Sequence, residues 1–374
     1  MRILFYLLLF IGFSQTAAAQ RKSAARVTPA DKRLVGLDTA LNNVLKQYKA
    51  AGFAVAIVEK DKIVYSKGFG YRDFEKKLPV TSNTLFPIGS STKAFTTALL
   101  GILEKDGKLK FSDLAIDHLP ELRFFNDEMT TNITVRDLAT HRTGLPRHDY
   151  SWYLFKTDSR KELMGRLKYQ EPSAKMRTRF QYNNFMFLLQ GMIAEKITGK
   201  TWEETLKEKI FTPLNMTRTV TSIEEMEKDG DISFGYGLKN DSIIKKLDYY
   251  KINSMGPAGS INSSVDEVAN WLRLWIHGGK FNGKEVIPAS YINDAISSHM
   301  VAGNILPGKE SNQIFFQNYG LGWFLSSYRG KYRVEHGGNI DGFSANVAYF
   351  PGDSIGIVVL VNQDGSSVPS VVRN

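Results

Sequence analysis

Ser90 and Lys93 stand three residues apart at the head of an apolar run in which Phe95, Ala98, Leu99 and Ile102 recur at helical spacing. On a helix, that spacing places a hydroxyl and an amine on one face within one turn. A serine hydroxyl attacks a carbonyl only when a base removes its proton, and a lysine can be that base only if burial or a nearby cation lowers its pKa. Pro87 and Gly89 hold the approach extended, so the helix is expected to begin near Ser90 and to end at Asp106-Gly107, where glycine takes the left-handed cap. Its positive end would oppose an ammonium and offer N–H groups to an oxyanion.

The pattern alone is weak, because a capped helix with a surface lysine carries it too. A second copy at residues 242–245 follows the turn Lys239-Asn240-Asp241 and reads as a strand, on which residues three apart face opposite ways. Context selects Ser90. Two further triplets suit catalysis: Tyr182-Asn183-Asn184 precedes a helix starting near Phe185, with Asn184 as its cap, and His336-Gly337-Gly338 ends a strand where glycines let a ligand approach. Their decoys sit in the wrong places. Tyr291 and Asn293 lie within a helix, and His277-Gly278-Gly279 forms an ordinary helix C-cap. Residues 278–284 imitate a phosphate loop, but Glu285 stands where Ser or Thr is required.

Other chemistries lack their residues. There is no His-Glu-x-x-His, and His141 and His148 lack zinc-site spacing, so neither metal nor cofactor is expected. Arg2, the apolar residues 3–13 and Ala17-Ala18-Ala19 read as a signal peptide, residues 1–19, which implies a periplasmic or secreted protein. With 0 Cys, stability rests on the core. The 48 Lys and Arg against 38 Asp and Glu give a net charge of +10, but the basic residues alternate with acids instead of clustering. That excludes nucleic acid as a partner and leaves weak attraction to an anionic cell envelope.

The elements that must position the triplets follow from periodicity. After a basic leader at 20–29, a helix is expected over 30–49, then a hairpin of 53–58 and 63–66 turning at Lys60-Asp61. Helices are expected at 135–140, 160–167, 185–198, 202–210, 265–275 and 290–299, and strands at 320–326, 332–335, 343–349 and 355–361. Strands at both ends around a helical middle predict an α+β fold: one antiparallel sheet formed by both termini and flanked by helices, with a mainly helical second lobe. Residues 20–374 would form a single catalytic domain, with an α/β lobe from about 30–85 and 305–374 and a helical lobe from about 86–304.

Taken together, Ser90-Ser91-Thr92-Lys93, Tyr182-Asn183-Asn184 and His336-Gly337-Gly338 resemble the three active-site elements of the serine β-lactamase and penicillin-binding protein superfamily, in family order. Residues 141–146 (His-Arg-Thr-Gly-Leu-Pro), 256–260 (Gly-Pro-Ala-Gly-Ser) and 319–323 (Tyr-Gly-Leu-Gly-Trp) add supporting matches, and the likeness is nearest the class C branch with its D,D-peptidases, D-aminopeptidases, esterases and β-lactamases. The resemblance implies that Ser90 attacks the carbonyl, that Lys93 and Tyr182 share proton transfers, and that Asn184 positions the substrate amide. It further implies that His336, Gly337 and Gly338 line the opposite wall and that the N–H groups of Ser90 and Asn339 form the oxyanion hole. The implied function is a secreted serine hydrolase of D-alanyl peptides, small amides or esters. The alternatives are a true class C β-lactamase or a penicillin-binding sensor that does not turn over.

Two departures carry expectations. Class C β-lactamases have lysine where His336 stands. An imidazole of ordinary pKa, near ~6.5, would leave that wall neutral, slow β-lactam turnover, and improve it as pH falls. The family closes with a helix over the sheet, but only residues 363–374 follow the last strand, so that helix is expected to be missing and an apolar patch exposed near Val361.

Overall fold

The computed structural model describes residues 31–303 and 313–374; the expected signal peptide and leader lie outside the described residues. Met1–Gly36 is one unit, of which residues 31–36 are described as a single 3-10 turn, Lys32–Leu34, capped by the Asp31 carboxylate. Leu37–Asn374 is the other unit, and it holds every candidate residue.

Its sheet has nine strands. From the N-terminal side come β1 (Gly52–Glu59), β2 (Lys62–Asp73) and β3 (Leu78–Pro79). From the C-terminal side come β4 (Met300–Gly303), β5 (Gln317–Tyr319), β6 (Phe324–Tyr328), β7 (Lys331–Ile340), β8 (Phe343–Phe350) and β9 (Ile355–Val361). The order is β4-β5-β6-β7-β8-β9-β1-β2-β3, antiparallel throughout, and β1 pairs with β9 so that Phe53 faces Val361. Both termini therefore build one sheet, as expected.

Strand alternation decides what covers each face. Phe53, Val55, Val359 and Val361 pack with Leu41 of helix α1 (Leu37–Gln47). Ala54, Ala56, Val58, Val358 and Leu360 turn the other way into the main core. There they meet the helical region, built around α2 (Thr92–Lys105), α3 (Phe185–Thr198) and α4 (Val265–Ile276). Phe95 of α2 stacks on Trp271 of α4 with ring centroids 3.9 Å apart.

Some elements differ from expectation for local reasons. The N-terminal helix begins at Leu37, just after Gly36, whose φ of +86° suits glycine. The expected strand at 320–326 is broken, because residues 320–323 leave the sheet to touch helices: a Cβ on Gly320 would lie 2.0 Å from the Ala295 carbonyl oxygen, and one on Gly322 3.1 Å from that of Lys93. His336-Gly337-Gly338 does not end its strand. β7 runs on to Ile340, paired with β8 throughout. The expectation of a missing closing helix is also corrected. Helix α5 (Val368–Arg373), with Pro369 in its first turn, packs Val368 beside Val359 and Val361, and Val361 is fully buried.

Candidate active site

Ser90 sits in a 3-10 turn, Gly89–Ser91, that runs directly into α2. Because the turn runs unbroken into the helix, Ser90 and Lys93, three residues apart, lie on one face. Lys93 Nζ lies 3.0 Å from Ser90 Oγ and 2.7 Å from the carbonyl oxygen of Ala258. Burial of the amine, with the charge of Arg147 second, holds Lys93 well below the ordinary lysine range, against a smaller opposing effect of Asp149. A lysine in that condition has a lone pair available for the serine proton.

Two glycines bring the sheet close to Ser90. Gly89 has φ +50°, and a Cβ there would lie 2.9 Å from Asn339 N; a Cβ on Gly338 would lie 1.9 Å from the Ile88 carbonyl oxygen and 3.1 Å from Ser90 N. The amides of Ser90 and Asn339 thus flank the same backbone contact, and both residues line one cavity of about 180 Å³. Ser91 Oγ pins the turn further by donating to the His336 carbonyl at 3.0 Å.

Tyr182 completes the cluster. Its ring lies 4.9 Å from Lys93 Nζ. Burial raises the phenol above its ordinary pKa, an effect that the neighbouring Ser90 hydroxyl and then Arg147 partly offset. His141 holds the tyrosine in place: its ring lies against Tyr182 at 4.3 Å between centroids, its Nδ1 accepts from Asn183 N–H at 3.1 Å, and its carbonyl accepts from Gln181 N–H at 2.8 Å.

Asn184 lines the same cavity and holds the N-cap position of α3, but its side chain makes no capping bond. Asn183 Oδ1 accepts from Phe185 N–H instead, while Asn184 Nδ2 donates to Asp149 at 2.9 Å. The expectation for His336 is also corrected. Its ring is 1 % exposed and is not among the groups lining the cavity; Nε2 accepts from the Tyr319 hydroxyl at 3.1 Å and Nδ1 donates to the Gly337 carbonyl at 2.6 Å. Burial first, then the Lys93 charge, pushes its pKa down to about 3. Titration near neutral pH is therefore lost, because the site that removes solvent from the ring also removes the stabilisation of its charged form.

The decoys stay away from the cluster. Ser242 and Lys245 are exposed around the hairpin strand Ile243–Leu247, and Tyr291 is buried against Gly101. No group of three or more metal-binding side chains occurs among the described residues.

Several cavity residues escaped the sequence. Arg147 lies over the Tyr182 ring at 4.9 Å and pairs with Asp149 at 2.6 Å; both follow the His141–Pro146 match directly, where a charged pair would have been worth noting. Tyr250 and Asp341 had no local signal except that Asp341 stands two residues beyond Asn339. Trp152 and Tyr153 form a wall of the cavity, while Tyr150 is exposed. Beside this wall lies a second cavity of about 550 Å³ that shares Trp152, Tyr250, Ile252 and Met255 with the first.

The chain is similar to known proteins over most of its length. The family model described as Beta-lactamase matches residues 37–374. A protein named Unguisins hydrolase ungD', from Aspergillus campestris, is 30% identical over 340 residues, 87% of this chain and 61% of its own length. Protein flp of Staphylococcus aureus is 24% identical, covering 90% of this chain and 65% of its own. The chain thus spans less than two thirds of the length of these curated relatives. Among solved structures, an octameric penicillin-binding protein homologue from Pyrococcus abyssi superposes with a TM-score of 0.79 at 28% identity, covering 91% of this chain and 75% of that one. A D-stereospecific amidohydrolase from Streptomyces sp. shares the fold at TM-score 0.71 and 20% identity, over 90% of this chain and 97% of that one.

Proposed function

Because the chain belongs to the β-lactamase family, we propose that it is a secreted serine hydrolase that forms an acyl-enzyme on Ser90 with small amides, D-alanyl peptides or esters. The observation that carries this reading is the 3.0 Å approach of Lys93 Nζ to Ser90 Oγ, with the amine fully buried and its charged form disfavoured. Lys93 takes the serine proton as Oγ attacks, and the N–H groups of Ser90 and Asn339 receive the oxyanion. The proton taken by Lys93 passes through Tyr182 to the leaving group, which restores both side chains, and water then attacks the acyl-enzyme, losing one proton to the same pair, which returns it to Ser90 as the acyl chain departs. One relative bears the name hydrolase, which supports turnover over mere binding. Peptidase or esterase activity is favoured over a dedicated β-lactamase because the wall that carries lysine in class C enzymes here holds a buried, neutral His336. Export rests on the signal pattern of residues 1–19, and weak association with an anionic envelope on the net charge of +10.

The test is labelling by a fluorophosphonate together with turnover of p-nitrophenyl esters. Ser90→Ala is expected to abolish labelling and to lower turnover by about 10³ to 10⁶, as removal of a nucleophile does elsewhere. Equal labelling of both proteins, or acylation mapped to Ser242, would overturn the reading.

A further inference from the structure

The catalytic cavity is lined by three charged side chains, and their pairing is uneven. Arg147 and Asp149 neutralise one another at 2.6 Å. Asp341 is the third, and no lysine, arginine or histidine pairs with it among the described residues. Its Oδ2 accepts from the Tyr153 hydroxyl at 2.6 Å, which fixes the carboxylate while satisfying only one oxygen. The supports of that bond are themselves held. The Tyr153 ring stacks on Tyr250 with centroids 4.5 Å apart, and the Tyr250 hydroxyl donates to the Tyr153 carbonyl at 2.6 Å. Asp341 begins the turn after β7, and next to it Gly342 has φ +84°, where a Cβ would meet Gly235 at 2.6 Å. A clamped carboxylate without a counter-ion, open to a cavity walled by aromatic rings, is a receptor for a cation.

The position defines which part of a substrate would meet it. Asn339, whose N–H belongs to the oxyanion pair, precedes Asp341 by two residues, about 7 Å of extended chain. An acyl group whose carbonyl oxygen rests at Asn339 therefore has its α-substituent within reach of the Asp341 carboxylate. Resting on the serine-hydrolase reading above, we propose that Asp341 is the specificity anchor of this site and selects acyl donors bearing a free ammonium group next to the scissile carbonyl.

The tyrosine that holds the anchor remains a donor. Its bond to Asp341, followed by burial, pushes the Tyr153 phenol up to about 12. Asp364 adds negative potential nearby, its carboxyl raised by partial burial and then by the charge of Asp341.

The experiment compares D-alanine p-nitroanilide, which carries a free α-ammonium, with its N-acetyl derivative. The wild type is expected to favour the free amine by at least about tenfold in kcat/KM, the factor for a charge-assisted hydrogen bond. Asp341→Asn keeps the acceptor for Tyr153 and should bring that ratio close to one, chiefly through KM; Asp341→Ser should act in the same direction, and Asp364→Asn should leave the ratio in place. An unchanged ratio in both Asp341 variants, or a wild type that prefers the acetylated compound, overturns the proposal. A reading that does not depend on turnover comes from Ser90→Ala, in which D-alaninamide should quench Trp152 fluorescence at lower concentration than N-acetyl-D-alaninamide. If neutral esters are hydrolysed and no amine preference appears, the anchor alone is wrong. If Ser90 is never acylated but the amine preference in binding persists, the hydrolase reading fails and the anchor stands.

Discussion

The Tyr319 hydroxyl donates to His336 Nε2 across 3.1 Å, and neither side chain is more than 1 % exposed. With Nδ1 donating to the Gly337 carbonyl, the neutral ring satisfies both nitrogens, and burial disfavours its charged form. The ring accordingly serves as a neutral strut between Tyr319 and the Gly337 carbonyl and does not act as a switchable cation.

A pH dependence of stability follows. The folded pKa of about 3 lies below the ~6.5 of an unfolded histidine, so between those values the unfolded chain binds a proton that the folded one refuses. Stability is thus intact above about 6.5 and is lost as pH falls, at up to ~1.4 kcal/mol per pH unit for a single group. His336→Gln should flatten that slope in urea unfolding between pH 7 and pH 5, while His141, displaced in the same direction, keeps part of it. His336→Lys buries an ammonium and should cost at least about 3 kcal/mol at neutral pH. Identical slopes in wild type and His336→Gln would show that the ring titrates normally.

The adjacent glycines make a sharper contrast. A Cβ on Gly338 would stand 1.9 Å from the Ile88 carbonyl oxygen, but one on Gly337 finds nothing nearer than the Ala345 carbonyl oxygen at 3.6 Å. Gly338→Ala should therefore force β7 away from the nucleophile turn, costing about 1–3 kcal/mol by overpacking and on the order of 10² in kcat/KM by misplacing the oxyanion donors. Gly337→Ala should stay within about 1 kcal/mol of wild type with near-normal turnover. Thermal unfolding and ester hydrolysis of the two variants decide it. Equal losses would mean that the approach of β7 to Ser90 is not what the second glycine serves.

How far these relations were legible in the sequence depends on their range along the chain. The helix carrying Ser90 and Lys93 announced itself through periodicity, and its end at Gly107, φ +68°, through glycine chemistry. Strands β8 and β9 were readable because their residues are buried apolar runs. The break at residues 320–323 was not, since Gly320 and Gly322 answer to Ala295 and Lys93, which are distant in sequence. Helix α5 was missed because it is short and draws its stability from Val359 and Val361 more than from its own pattern. The proposed nucleophile and base, Ser90 and Lys93, could be singled out from local spacing, and the structure brings them within 3.0 Å. The environment of His336 could not, because burial and the Tyr319 bond are tertiary facts that reverse the ordinary behaviour of an imidazole.

The pair Arg147 and Asp149 offers a test with opposite signs. Both act on Lys93 through space: after burial, the Arg147 charge is the next largest influence lowering its pKa, and Asp149 opposes it. Only the neutral amine can accept the Ser90 proton, so the acidic limb of the kcat/KM profile should follow the loss of the Lys93 proton. Arg147→Gln removes a repelling cation and also frees Asp149, its partner at 2.6 Å, so the ammonium is favoured twice over and the limb should move to higher pH. Asp149→Asn removes the attracting anion and frees Arg147, so the limb should move to lower pH. Asparagine keeps an oxygen for the Trp152 and Asn184 bonds to Oδ1, which separates the charge effect from a collapse of the wall. The measurement uses a neutral ester, so that binding carries no charge of its own. Shifts of the same sign in both variants, or none in either, would remove Lys93 from the role of base.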